Sequence, residues 1–182
     1  NVSFLENYQN SFSHAQYLLK ELINTHAPDA ELFVNDAIEN SALLKDIDDN
    51  NLANLLLRLA ILNQKQTGLD PAVDLTLEHV LPITHKKWAI TDDLANQIKY
   101  KIGNMILIPG ELNSSIKNSR LEEKHPIYLQ KNINDILDDN NVLSINKSED
   151  WNEHIISKRT EALAKILKPM LLDLNFNSFK SQ

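Results

Sequence analysis

The chain has 182 residues, 42% of them hydrophobic and 24% charged, with a net charge of −7 and no cysteine. That length suits one domain with a real core. The absence of any run of about 18 uncharged apolar residues argues against a membrane span. Without cysteine there are no disulfides, thiolate zinc sites or cysteine nucleophiles, which fits a cytoplasmic protein. The chain opens at Asn1 with no basic region followed by an apolar stretch. "NVSFLENYQNSF" reads instead like the interior of a helical protein, so a piece of a longer chain is expected. Charge is unevenly spread: residues 76–131 carry eight Lys/Arg against six Asp/Glu, while the remainder carries ten against nineteen. A mildly basic centre in an acidic scaffold could accept a polyanion locally, although charge on solvated helix faces is the commoner explanation.

In chain order, Phe4 to Ile23 and Asp29 to Leu44 are two amphipathic helical stretches separated by "THAPDA". A third follows, with Leu52, Leu55, Leu56, Leu59 and Leu62 at helical spacing, Asp49 or Asn50 placed to cap its start and Gly68 its end. All three glycines and four of six prolines then fall between residues 68 and 126. "AVDLTLEHVLP" alternates apolar residues at 73, 75 and 77 between Pro71 and Pro82, which suits a short strand. After a long connection, "GNMILIPG" reads as a second strand, and "ELNSSIKNSRLEEKH" returns to helical spacing. The last helix lies in "SEDWNEHIISKRTEALAKILKPMLLDL". It has a cap-like Ser148, places Ile156, Leu163, Ile166, Leu167 and Met170 on one side, and carries Pro169 as a kink.

The acid–histidine pair Glu78–His79 stands in the first strand. Lone carboxylates and imidazoles are costly to bury without partners, so something must complete the pair. The strand–strand–helix order, with "EHVLP" (78–82), "GNMILI" (103–108) and "LNSSIKNSRLEEK" (112–124), resembles the His-Me finger, or HNH, nuclease motif. The cysteine-free string, followed by Trp151, Ile155 and Arg159, is similar to the nuclease domain at the C-terminal end of GmrSD-type, modification-dependent restriction proteins. The phosphorothioate-linked anti-phage protein SspE is of the same kind. The resemblance spans roughly residues 70–165, with the first 65 as a helical lead-in.

It implies an α+β, predominantly helical fold with a small ββα-metal unit embedded in a helical domain. Residues 1–68 would form the lead-in, and 69–182 the HNH-like domain with its C-terminal helix. The implied activity is metal-dependent endonucleolytic cutting of DNA, as effector of a restriction or anti-phage protein. A separate N-terminal sensor or nucleotidase domain would gate cutting; a homo-oligomer is a further expectation. By the family's pattern His79 is the general base, a role suited to an imidazole whose unperturbed pKa lies near working pH. Asn104 would tie the loop and orient that base. Glu78 and Asn113 would be oxygen ligands of a hard divalent ion, Mg²⁺ or Mn²⁺. Lys117, Asn118, Arg120 and Lys124 would meet DNA phosphates.

Plainer readings stand beside these. His79 could be a hydrogen-bonded core histidine, Glu78 a solvent-facing strand residue, Asn104 a turn cap after Gly103, and Asn113 a helix N-cap. Trp88 and Trp151 suit the core better than base stacking, and His85 a surface position better than a second metal site. Adjacent strand residues also point to opposite faces, so Glu78 and His79 can share a metal only if the strand bends there. Rival functions are an inactive helical binding or oligomerisation module, and a His–Glu hydrolase of other phosphoesters.

Overall fold

A computed structural model describes residues 13–14, 16–21, 24–25, 30–43, 49–63, 75–128 and 151–172. Helix α1 spans Ala30–Glu39 and is followed by a 3₁₀ turn, Ser41–Leu43; α2 spans Asp49–Asn63. Strand β1 is Leu75–His79, α3 is Asp92–Ile98, and a second 3₁₀ turn, Ile102–Asn104, leads into β2, Met105–Pro109. Helices α4 (Gly110–Ile116), α5 (Leu121–Tyr128) and α6 (Glu153–Leu172) complete the described residues. Among the described residues the fold is α+β and mostly helical, around a two-stranded antiparallel sheet. Gly68, Pro71 and Ser148 lie outside the described residues, as does most of the stretch from Phe4 to Ile23, of which 13–14 and 16–21 are helical.

The helices form where the apolar spacing places them. In α1, Phe33, Val34, Ala37 and Ile38 are buried, and in α2 Leu52, Leu56 and Leu59 are, so each helix turns one stripe inward. Helix α6 buries Ile156, Leu163 and Leu167. It is capped by Asn152, whose Oδ1 accepts from Ile155 N at 3.1 Å, and it continues as helix through Pro169.

The sheet has a clean register, with Leu77 opposite Leu107, Glu78 opposite Ile106 and His79 opposite Met105. Opposed residues share a face. One face, with Leu75, Leu77, Met105 and Leu107, packs into a core made with α1, α2 and α6. On the other, Ile106 and Ile108 join a second core with Val80, Leu81, Ile98, Ile116, Tyr128 and Trp151. There β1 contributes Thr76 and Glu78, so its polar residues are turned inward rather than to solvent.

Two features differ from the sequence expectation. The connection between the strands contains α3, which starts at Thr91, whose Oγ1 accepts from Leu94 N, and has Asp92 and Asp93 in its first turn. The helical stretch after β2 is two helices. Lys117 ends α4 with φ of 32°, a left-handed conformation uncommon for a side-chain-bearing residue. Helix α5 restarts at Arg120, whose N donates to Glu123 Oε2 at 3.0 Å, the back-reaching half of a capping box, while Lys124 N makes the first helical bond to Arg120 O.

Candidate active site and nucleic-acid interface

Strand β1 stays regular through the acid–histidine pair, so Glu78 and His79 point to opposite faces. His79 is half-buried, and its ring meets Tyr100 edge-on, with centroids 6.4 Å apart. Tyr100 is itself topped by the Lys99 ammonium, 5.3 Å from its ring centre. Glu78 turns to α5 and is 4% exposed. Its Oε1 accepts from Lys124 Nζ at 2.6 Å and from Tyr128 OH at 2.9 Å. Lys124 and Tyr128 lie one helical turn apart, so one face of α5 supplies both donors.

Immediately after His79 the chain leaves the strand. Successive carbonyls in an extended strand point in opposite directions, yet His79 O and Val80 O both accept from Lys124 Nζ, each at 3.0 Å. From the other side, Val80 N donates to Asn104 O at 3.0 Å and Leu81 N to Asn104 Oδ1 at 2.9 Å. Asn104 Nδ2 donates to Leu81 O and Lys99 O, both at 2.9 Å, and Trp151 Nε1 donates to Asn104 Oδ1 at 2.9 Å. Two donors and two lone pairs exhaust an amide side chain. Asn104 is therefore a saturated knot with 0% exposure that joins the turn after β1, the end of α3 and the segment leading into α6.

The knot rests on a close contact with α6. Gly103 N donates to Thr160 Oγ1 at 3.1 Å, and a Cβ at Gly103 would run into Ile156 O and Thr160 Oγ1. Only glycine lets the backbones approach so closely. Arg159 Nη1 donates to Gly103 O and Met105 O at 2.7 Å, and more weakly to Ile102 O. Burial pushes its guanidinium down to about 9. Trp151 and Arg159, at the far end of the motif string, thus hold the first residues of its middle.

Burial raises the pKa of Glu78, with the nearby Lys124 charge and its hydrogen bonds opposing the rise. Burial likewise lowers Lys124, with Glu78 opposing, and holds the Tyr128 phenol well above its usual value. Lys124, expected at a phosphate, is placed inside the protein at 0% exposure with three acceptors. An ammonium so placed is not presented to a ligand's surface.

Asn113 lies inside α4 rather than at its start. Its Nδ2 donates to Leu77 O at 2.8 Å and Thr76 Oγ1 at 3.1 Å, pinning α4 to β1 two residues before His79. With the amide nitrogen committed to β1, its oxygen is the atom suited to a hard cation. Among the described residues no three His, Cys, Asp or Glu side chains gather as a metal cage. Asn113 Oδ1 is thus one oxygen donor of the type a hard ion takes, while Glu78 Oε1 is bonded to Lys124 and Tyr128.

Lys117, Asn118 and Arg120, by contrast, are exposed on the turn between α4 and α5. Trp88 Nε1 donates to Ser119 O at 3.2 Å and draws the loop after Pro82 onto that turn. This brings in exposed Lys87, which with Arg120 acts on the Glu123 carboxylate; that carboxyl is lowered chiefly by its backbone bond from Arg120. Lys87 was not singled out in the sequence; the Trp88 contact and its effect on Glu123 show where it lies. Tyr128 was missed too, although its four-residue spacing from Lys124 is a readable helical signal. His85 makes local contacts, Nε2 to Asp92 Oδ1 at 2.9 Å and Nδ1 to Ile83 O at 3.1 Å.

Among protein families, the one described as "GmrSD restriction endonucleases, C-terminal domain" matches residues 3–166, lead-in helices included. No curated protein and no solved structure matches significantly.

Proposed function

The chain belongs to the family of GmrSD restriction endonuclease C-terminal domains, and on that premise we propose that it hydrolyses DNA phosphodiester bonds with His79 as general base. One observation supports this reading above the others. Asn104 and Lys124, two distant members of the motif string, converge on the three residues that begin at His79. Both thereby fix the backbone that leaves the sheet at the half-buried His79.

In the proposed reaction the His79 imidazole takes the proton of the attacking water. The edge-on Tyr100 ring restricts the orientation of that imidazole. Asn113 would hold a divalent ion, Mg²⁺ or Mn²⁺, through its Oδ1. Such an ion, when bound, offsets charge on the phosphate oxygens and the leaving 3′-oxygen. Lys87, Lys117, Asn118 and Arg120 would meet flanking phosphates from the exposed turn and its neighbouring loop. In the whole protein, a sensor domain elsewhere in the chain would decide when DNA is presented to this surface.

Supercoiled plasmid is the direct test. The folded chain should nick it with Mg²⁺ or Mn²⁺, fail with EDTA, and lose about 10²-fold or more of its rate in His79→Ala. Folded His79→Ala that cuts like wild type sinks the assignment. A folded wild type that never cuts leaves the helical binding module as the better description.

A further inference from the structure

We infer that Lys124, with Glu78 and Tyr128 behind it, is a positioning residue for the base: a buried clamp that fixes the backbone turn carrying His79. The inference rests on the nuclease reading for its catalytic meaning, but the clamp itself is a matter of geometry. Counting from His79 O to Leu81 O, five consecutive backbone polar groups are held by two residues. Lys124 Nζ takes the carbonyls of His79 and Val80. Asn104 takes Val80 N, Leu81 N and Leu81 O. The ammonium is what allows two successive carbonyls to face the same way, because it satisfies both at once.

Glu78 completes the device. A buried ammonium needs a counter-charge, and the residue before His79 supplies it on the opposite face of the strand. Tyr128 OH donates to the same Oε1, which keeps the carboxylate aimed at Lys124. The acid of the acid–histidine pair is thereby explained without placing it on the metal, and the lysine without placing it on DNA. Each acts through the backbone of the residue that does the chemistry.

Two variants test this. In Lys124→Met the amides of Val80 and Leu81 should exchange with solvent at least tenfold faster, while those of Leu163 and Leu167 in α6 stay protected. Plasmid nicking should lose about tenfold or more in kcat, with KM and the salt dependence of DNA binding as in wild type. Unchanged exchange at Val80 and Leu81 overturns the clamp. A raised KM with a shallower salt slope and intact kcat overturns it in favour of a phosphate contact. Glu78→Leu should lose cutting and Glu78→Gln regain part of it, because an amide oxygen still accepts from Lys124 and Tyr128 but supplies no counter-charge. The Mn²⁺ concentration for half-maximal nicking should stay within about twofold of wild type in Glu78→Gln; a tenfold rise makes Glu78 a metal ligand and ends the proposal. If wild type does not nick, the nuclease reading falls on that result alone. The exchange measurement then still decides whether the clamp exists.

Discussion

The motif residues of this chain divide between two regions with opposite physical character. Asn104, Glu78, Lys124 and Arg159 are buried polar groups with their bonding capacity directed into the protein. Lys117, Asn118 and Arg120, from the same short string, stand exposed on a turn that solvent reaches. Lys117 and Lys124 differ by seven residues and one helix break, yet one faces solvent and the other is a structural ion inside the fold. A shared motif therefore does not mean a shared role. The buried members shape the turn after His79; the exposed ones are left to meet whatever approaches it.

That division can be broken most forcefully from the buried side. Asn104→Asp places a carboxylate oxygen against Leu81 O and Lys99 O, where Nδ2 now donates. Each buried group so orphaned costs about 1–3 kcal/mol, and the added charge costs more, so the variant should fail to fold cooperatively in a thermal melt followed by circular dichroism. Gly103→Ala should lose about 3 kcal/mol or more by the same measurement, since the obstacles to a Cβ include the α6 backbone.

Next in size is the ion pair itself. Removing one partner, as in Lys124→Leu or Glu78→Leu, leaves the other charge buried and should cost about 3–5 kcal/mol in urea unfolding. The double variant Glu78→Leu/Lys124→Leu should recover most of that loss, because no uncompensated charge remains. A double variant as unstable as the sum of the singles would mean that the pair does not interact in the way the 2.6 Å contact implies.

On the exposed side the expectation reverses. Lys87→Ala, Lys117→Ala and Arg120→Ala should each leave stability within about 0.5 kcal/mol. Each should weaken DNA binding and reduce the salt slope by about 1 if its charge meets a phosphate. Fluorescence anisotropy on one duplex between 50 and 200 mM salt separates the three. A slope that survives the triple variant moves the DNA-binding surface elsewhere.

The smallest effect concerns pH. The folded pKa of Glu78 lies above its unfolded value because burial outweighs Lys124 and Tyr128. The folded state then holds that proton more tightly, so the Glu78 contribution is fully present in acid below about 4.5 and is lost as pH rises through the raised value. Wild type should therefore lose stability relative to Glu78→Gln as pH rises from about 4.5. Urea unfolding of both proteins across that window measures the difference; a gap that widens in wild type's favour would mean the carboxylate is stabilised, not strained, by its site.

How much of this was readable follows from which physics each residue obeys. Periodicity governs amphipathic helices, so Leu52, Leu56 and Leu59 of α2 and Ile156, Leu163 and Leu167 of α6 announce their buried faces directly. Alternation and flanking Pro and Gly residues mark both strands within a few residues of their ends. The break at Lys117 was not read in the sequence: the five-residue step from Ile116 to Leu121 departs from helical spacing, but nothing in it shows how α4 ends. What ends α4 is a left-handed backbone followed by a new cap, a local competition that spacing does not record.

The site was half legible for a related reason. Residue type and order single out His79, Asn104 and Asn113, since at those offsets they form a recognisable string, and the family match spans the stretch that contains them. The partner of each is a different matter. Glu78 is 46 residues from Lys124, and Asn104 is 47 from Trp151. Charge and hydrogen-bonding power belong to a residue type and can be read in a sequence. Burial, and therefore whether a lysine neutralises a carboxylate or waits for a phosphate, depends on which helix face packs against which strand. That is decided by β1 lying against α5 on one side and the lead-in helices on the other, a choice made only when the chain is folded.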